Sequence, residues 1–366
     1  MRVLHWYWQT NAGGIHRVVS DLMGAQRRDP SLDVRCAVGR AGTLAGRPAA
    51  RGAPAGVTCL GLRHGFDFSR YGAAREALGW ADLVHMHGYN PVMALAVERL
   101  AKPCVYTDHG TDRHPSLRNR VVVGHFQRRF VRARADVVTV NSLFRLGERV
   151  DFYGIRDGRF RVVHNGLDFG GLGAKPSDPG LPAGVPVIGT VAVFNLKKRL
   201  HLLLETFARL DHASARLLIV GDGALRPRLE ERAQALGIGD RVHFTGYRED
   251  ARELIALMDV FILPTQGEGF GLAAVEALGL ERPVIVFRDG GGLTEVVRDG
   301  ETGCVVDHVE DAVRCLRWLL GDPALRRRLG AAGALDVRTR FSIEAMAQRT
   351  RRCYDEALAG RRRRTA

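Results

Sequence analysis

Residues Leu254–Leu263, L-I-A-L-M-D-V-F-I-L, end in four consecutive apolar side chains. No other stretch narrows the fold as much. A strand with one wet face alternates polar and apolar residues. A strand that does not alternate needs cover on both faces, as in a parallel sheet flanked by helices. The run therefore reads as a buried parallel strand. Beyond it, Pro264–Glu276 reads P-T-Q-G-E-G-F-G-L-A-A-V-E, and Leu272–Leu280 has helical spacing with no breaker before Gly279. The order is strand, glycine-rich turn, helix. Glu268 stands in the turn and Glu276 on the helix. Free N–H groups at a helix start favour anions such as phosphate. Carboxylates beside them accept hydrogen bonds from hydroxyls on ribose and hexose rings, so the two together suit a nucleotide sugar.

The same rhythm runs through both halves of the chain. Val3–Tyr7, Val34–Val38, Leu83–Met86, Cys104–Thr107 and Val137–Val140 read as core strands, with Gly13–Gln26 as a loop and helix after the first. A Pro- and Gly-dense stretch, 173–186, reads as a linker. Val187–Val193, Leu217–Val220, Arg241–Thr245 and Pro283–Phe287 then restart the strands, with helices at Leu200–Leu210 and Leu225–Ala235 and a helical zone at Ile343–Leu358. The expectation is an α/β protein of two doubly wound, Rossmann-like domains, 1–172 and 187–342, with 343–366 as a last helix and basic tail. Ligands of such sheets sit at the carboxyl ends of the strands, so the cleft between the halves is expected to hold the chemistry.

Composition excludes some classes. The 366 residues contain no apolar run of the ~18–20 residues a membrane span needs. The N-terminus is too polar for a signal peptide, which points to the cytoplasm. Six scattered cysteines lack C-x-x-C spacing and read as buried thiols, with neither disulfides nor a zinc site. The net charge of +14 suits nucleic acid, an anionic membrane or an anionic substrate. Only Lys102, Lys175, Lys197 and Lys198 are lysines in a chain that otherwise uses arginine. The Lys197–Lys198 pair therefore suggests a place that wants compact ammonium groups.

The run G-E-G-F-G-L with Glu276 in place resembles the E-x7-E motif of the retaining GT-B glycosyltransferases, the bacterial "glycosyltransferase group 1" (family 4) type. The resemblance covers nearly the whole chain. Asn165-Gly166 with Asp168, Gly221-Asp222-Gly223, Phe244–Tyr247 and Gly290–Gly292 with Glu295 match further turns in family order. The resemblance implies a GT-B architecture with its two domains facing a central cleft and the last helix returning to the first domain. It implies that Glu276 binds the donor ribose. Glu268 would hold the donor sugar, aided by backbone N–H groups of Phe270, Gly271 and Leu272. Lys198, with Lys197, would neutralise the diphosphate leaving group. His109, just past the strand Cys104–Thr107, would contact the sugar near the reacting centre. Gly13 and Gly14 would face the diphosphate or the acceptor, and Gly246 and Tyr247 the nucleobase. Many relatives carry an arginine several residues before a single lysine. Adjacent Lys197, Lys198 and Arg199 depart from that pattern, and leave open which of them meets the phosphates.

The implied reaction is retaining hexosyl transfer from a UDP- or GDP-linked donor substrate to a glycan or lipid-linked acceptor, in cell-surface polysaccharide or glycolipid synthesis. No resident cofactor and no obligatory metal are expected. His85 and His87 share one strand face, yet no third ligand has obvious spacing. A sugar-nucleotide epimerase has the same architecture but would lack the E-G-F-G-L…E run. A nucleic-acid-binding protein would need a basic platform interleaved with aromatics, and none stands out, so no nucleic acid partner is expected. Arg118–Arg134 mixes arginines with Val, Phe and His at helical spacing, either a solvated face or one that lies on an anionic membrane. Arg361–Arg364 reads as a disordered basic end.

Overall fold

The computed structural model describes residues 1–9, 14–40, 43–44, 47–48, 57–110, 117–170, 172 and 180–365. The chain divides into two compact units, Met1–Gly166 with Ile343–Ala366, and Leu167–Ser342.

The first unit is built on β1 (Arg2–Gln9), α1 (Gly14–Arg27), β2 (Asp33–Arg40), a short hairpin of β3 (Thr43–Leu44) and β4 (Arg47–Pro48), and β5 (Val57–Cys59). It continues with α2 (Tyr71–Trp80), β6 (Leu83–His87), α3 (Pro91–Arg99), β7 (Cys104–Asp108) and α4 (Leu117–Arg134). β8 (Val137–Val140), α5 (Leu143–Tyr153) and β9 (Phe160–Val162) complete it. Its main sheet is parallel, in the order β5-β2-β1-β6-β7-β8-β9. Every residue of β6, β7 and β8 is buried, polar ones included, as strands covered on both faces require. Local signals set the helix ends. Asn90 accepts from the N–H groups of Val92 and Met93 with Pro91 in the first turn, and Gly154 closes α5 at φ 61°.

The second unit runs through β10 (Val187–Val191), α6 (Leu200–Ala208), β11 (Arg216–Val220), α7 (Arg226–Ala235), β12 (Val242–Gly246), α8 (Ala251–Ile255), β13 (Val260–Leu263) and α9 (Leu272–Gly279). β14 (Val284–Phe287), α10 (Leu293–Val296), β15 (Gly303–Val306), α11 (Val309–Gly321) and α12 (Pro323–Arg340) follow. The sheet is again parallel, ordered β12-β11-β10-β13-β14-β15. Its two faces feed separate cores. Leu217 and Ile219 pack on one side with α6 and α11, while Leu218 and Val220 pack on the other with α9. Helix α13 (Ile343–Thr365) belongs to the first unit.

The four apolar residues that end at Leu263 are the buried parallel strand β13, and Leu254 and Ile255 before them close α8. Two expectations need correction. Arg361–Arg364 is not irregular, because α13 continues to Thr365. Arginine is a good helix former, and cations suit a helix C-terminus. Cys304 on β15 and Cys315 on α11 form a disulfide with Cα atoms 6.8 Å apart. α11 folds back against β15, and no spacing motif announces that pairing. Of the free thiols, Cys36, Cys104 and Cys353 are buried, whereas Cys59 is exposed.

Candidate active site

In the second unit the strand order reverses between β10 and β13, the place where loops diverge and leave room for a ligand. The two segments that leave this point carry the predicted charges. After β10, Leu196–Lys198 forms one 3-10 turn, capped by the Asn195 side chain. After β13 comes the turn bearing Glu268. Lys198 Nζ donates to Glu268 Oε2 at 2.5 Å, and the Gly269 N–H donates to Glu268 Oε1 at 3.1 Å. Burial would raise the Glu268 carboxyl, but the Lys198 ammonium, then Lys197 and the Gly269 N–H, outweigh it and hold the group below its ordinary value. The site is thus an ionised carboxylate beside two ammonium groups.

Glycines bring the backbone close. The N–H of Glu268 donates to the Gly290 carbonyl at 2.9 Å, and that of Gly292 donates to the Glu268 carbonyl at 2.8 Å. A Cβ on Gly292 would lie 2.3 Å from the Gly269 oxygen. Gly271 caps α9 at φ 90°, where a Cβ would lie 2.2 Å from Leu293 Cδ2. Phe270 is buried, its ring edge-on to Phe341 at 5.0 Å, so its side chain anchors the turn and only its backbone faces the predicted site. Leu272 opens α9 with its N–H at the helix start.

Glu276 is buried on α9, and Arg252 Nε donates to its Oε1 at 2.7 Å. Sequence reading missed Arg252, which lies 24 residues away on α8. Arg199, one of the three basic candidates, holds Asp289 through its two terminal guanidinium nitrogens at 2.7 and 2.6 Å, and its Nε donates to the Pro264 carbonyl at 2.7 Å. It braces the turn, and that leaves Lys197 and Lys198 as the ammonium pair beside Glu268. Gly246 ends β12 at φ 72°, its carbonyl accepting from the Gly221 N–H at 2.9 Å. Tyr247 beside it is 56% exposed. Both lie two strands from β10, on the same carboxyl edge as the ammonium pair.

His109 and Gly14 belong to the first unit. Gly13 lies outside the described residues, and Gly14 opens α1. The strand order of this unit reverses between β1 and β6. His109 is the second residue after Thr107, half-buried, in a loop fixed by Asp108. That carboxylate accepts from the Gly110 N–H at 2.7 Å and from the Tyr153 hydroxyl at 2.6 Å, and pairs with Arg149 at 3.3 Å. Behind His109 lies a buried cluster. His109 Nε2 is 3.1 Å from His87 Nδ1, and His87 Nε2 is 2.9 Å from His5 Nδ1. His85 and His87, for which sequence spacing marks no third ligand, have His5 beside them: parallel pairing sets His5 directly beside His85, and the three rings have ligand atoms within 4.8 Å of one another.

Known families match along the chain. The model for "Glycosyltransferase Family 4" matches residues 12–170, and that for "Glycosyl transferases group 1" matches residues 174–336. A D-inositol 3-phosphate glycosyltransferase of Salinispora arenicola is 32% identical over 328 residues, covering 78% of this chain and 71% of its own. The lipopolysaccharide core glycosyltransferase LpsE of Rhizobium meliloti is 34% identical over 167 residues, 45% of this chain and about half (48%) of its own length. Among solved structures, Anabaena HepE in complex with UDP and glucose superposes with a TM-score of 0.78 at 20% identity, over 97% of this chain and 99% of that one. The lipopolysaccharide glycosyltransferase WaaG does so at 0.68 and 17%, over 95% and 98%. These two show the fold alone. With both halves matched in order and the inositol-phosphate enzyme aligned across most of its length, the chain belongs to the group 1 glycosyltransferases of GT-B architecture.

Proposed function

We propose that the chain is a retaining hexosyltransferase that moves a sugar from a UDP- or GDP-linked donor to a hydroxyl of a glycan or lipid-linked acceptor. The observation that carries this reading is the Lys198–Glu268 pair at the strand-order reversal, beside the glycine-rich start of α9. A diphosphate arriving there takes up the ammonium charge of Lys198 and Lys197 and releases Glu268 to accept from sugar hydroxyls. Glu276 holds the ribose through the carboxylate that Arg252 orients. Gly246 and Tyr247 line the base. His109 contacts the sugar. In the transfer the anomeric C–O bond to phosphate breaks, the acceptor oxygen bonds to the same face, and its proton passes to the departing phosphate oxygen. The ammonium pair supplies the cationic charge that this leaving group needs, so no divalent metal is required. HepE, crystallised with UDP and glucose, favours a UDP-sugar as the first donor to test.

An anionic membrane surface suits the first unit. Val121, Val122 and Phe126 of α4 are exposed, as are Phe66 and Phe68. Phe66, Phe68 and Phe126 line a groove of about 830 Å³ that Arg129, Arg132 and Arg134 border. No helix among the described residues is long and apolar enough to cross a membrane. Apolar side chains rimmed by arginine fit the headgroup boundary at the inner face of the cell membrane, where a lipid-linked acceptor resides.

Thermal unfolding with UDP-, GDP-, ADP- and TDP-sugars tests the donor, with Glu276→Ala alongside. One nucleotide class should raise the midpoint, and the variant should abolish the shift. Folded protein that responds to none of them would sink the assignment. Activity should survive EDTA, and flotation with phosphatidylglycerol vesicles should fall when Val121, Val122 and Phe126 are replaced by Ser.

A further inference from the structure

The cluster behind His109 is a directed chain. All its links lie inside the first unit. Gln26 Oε1, an acceptor only, is 2.7 Å from His5 Nε2, so that nitrogen carries the proton. A neutral imidazole has one N–H. His5 Nδ1 therefore accepts, which makes His87 Nε2 the donor across 2.9 Å. His87 Nδ1 then accepts, and His109 Nε2 donates across 3.1 Å. Three rings are locked into one tautomer by one amide oxygen. His109 consequently presents Nδ1 as a bare lone pair.

The amide is oriented from its other end. Gln26 Nε2 donates to the Tyr354 hydroxyl at 3.0 Å. That hydroxyl, having accepted, gives its own proton to His85 Nδ1 at 2.7 Å. His85 Nε2 donates in turn to Thr107 Oγ1 at 2.6 Å, and Thr107 is 2.6 Å from Thr139 Oγ1. His5, Gln26, His85 and His87 are almost wholly buried, as is Tyr354, so water cannot repair a misdirected link. Turning the Gln26 amide by 180° would reverse every bond and leave His109 presenting Nδ1–H.

We propose that Gln26 and Tyr354 are positioning residues that fix His109 as its Nε2–H tautomer, so that Nδ1 meets a hydroxyl of the sugar as a hydrogen-bond acceptor. This rests on the reading that His109 contacts the sugar. Burial holds all four imidazoles well below 6.5, to about 4 for His5 and His109, so the one-proton-per-ring logic applies at neutral pH. The same three nitrogens that flag a metal site, on His5, His85 and His87, already have hydrogen-bond partners. A metal bound there would occupy one nitrogen of each ring and leave the proton on the other, so His5 would lose either its link to His87 or its bond to Gln26.

The test is two-bond 1H–15N correlation of histidine rings in 15N-labelled full-length protein without any donor, with His109→Asn used to assign the His109 signals. The wild-type ring should be the Nε2–H form alone. In Gln26→Met the His5 Nε2–H loses its acceptor, while the freed Tyr354 hydroxyl, 3.4 Å from that nitrogen, can donate to it. The chain should then reverse, and the Nδ1–H form of His109 should become the major one. Should Gln26→Met not fold, Tyr354→Phe removes a single oxygen and should bring in the Nδ1–H form. An Nδ1–H His109 in the wild type overturns the proposal, as does a folded variant that keeps the wild-type form. Stoichiometric zinc in the purified protein, lost in His5→Ala, overturns it as well. Because no nucleotide sugar is present, the result is independent of whether the donor assignment stands.

Discussion

Lowering the pH from 7.0 to 5.5 should destabilise the first unit by an amount that its histidines set. His5, His85 and His87 are 0%, 2% and 6% exposed. Burial lowers all three, aided for His5 by the nearby Arg27 guanidinium and opposed by its bond to Gln26. The folded rings stay neutral at pH 5.5, while the unfolded ones, with an ordinary value of 6.5, take up protons. The unfolded state thus binds more protons, so stability falls as pH drops through 6.5, and the loss completes only below the folded values. Each ring costs about 1.2 kcal/mol over this interval, and the three together about 3–4 kcal/mol. Carboxylates contribute little, because nearly all stay ionised at pH 5.5. His109 is only partly buried and is left out of the sum. The readout is built into the chain: Trp6, Trp8 and Trp80 lie in the first unit and only Trp318 in the second. In Trp318→Phe protein, urea unfolding followed by tryptophan fluorescence reports the first unit alone. A free energy that is flat to within about 1 kcal/mol across this range, or that rises on acidification, would refute the neutral-cluster argument.

Other consequences are quicker to check. Gly271→Ala places a side chain at φ 90° and 2.2 Å from Leu293 Cδ2, and should destabilise the second unit by about 2–4 kcal/mol in chemical denaturation. Lys198→Met removes the largest opposition to burial at Glu268, so that carboxyl should titrate higher by 13C NMR, and any nucleotide-diphosphate thermal shift should shrink. In denaturant without reductant, four of the six cysteines should react with a thiol reagent, and all six after reduction.

Much of the architecture was legible because the core strands are short and mostly apolar. V-F-I-L at β13 has no polar residue to expose, and G-E-G-F-G-L supplies both the turn and the helix start. Lys198 and Glu268 were each visible as chemistry, and the sheet order then joins them across 70 residues. What stayed hidden depended on register or on distant partners. Nothing local ties Arg252 to Glu276, and nothing near Arg199 marks Asp289 as its partner. His85 and His87 could be placed on one face by alternation, whereas His5 joins them only through the pairing of β1 with β6. Gln26 and Tyr354 meet across 328 residues, beyond any spacing rule.

The place of α13 gives the chain a temporal order. The first unit is discontinuous: its last helix is synthesised after all 176 residues of the second, Leu167–Ser342. At ~5–20 residues per second, a ribosome takes about 10–35 s to cover that interval. For that time β1, β6 and α1 exist without Tyr354, and the Gln26 amide and His85 Nδ1 lack its hydroxyl. The second unit has its whole sequence first and can close on its own. Refolding of the first unit from a chain cut after Ser342 should therefore stop at an incomplete core, and adding α13 back as a separate peptide should restore it.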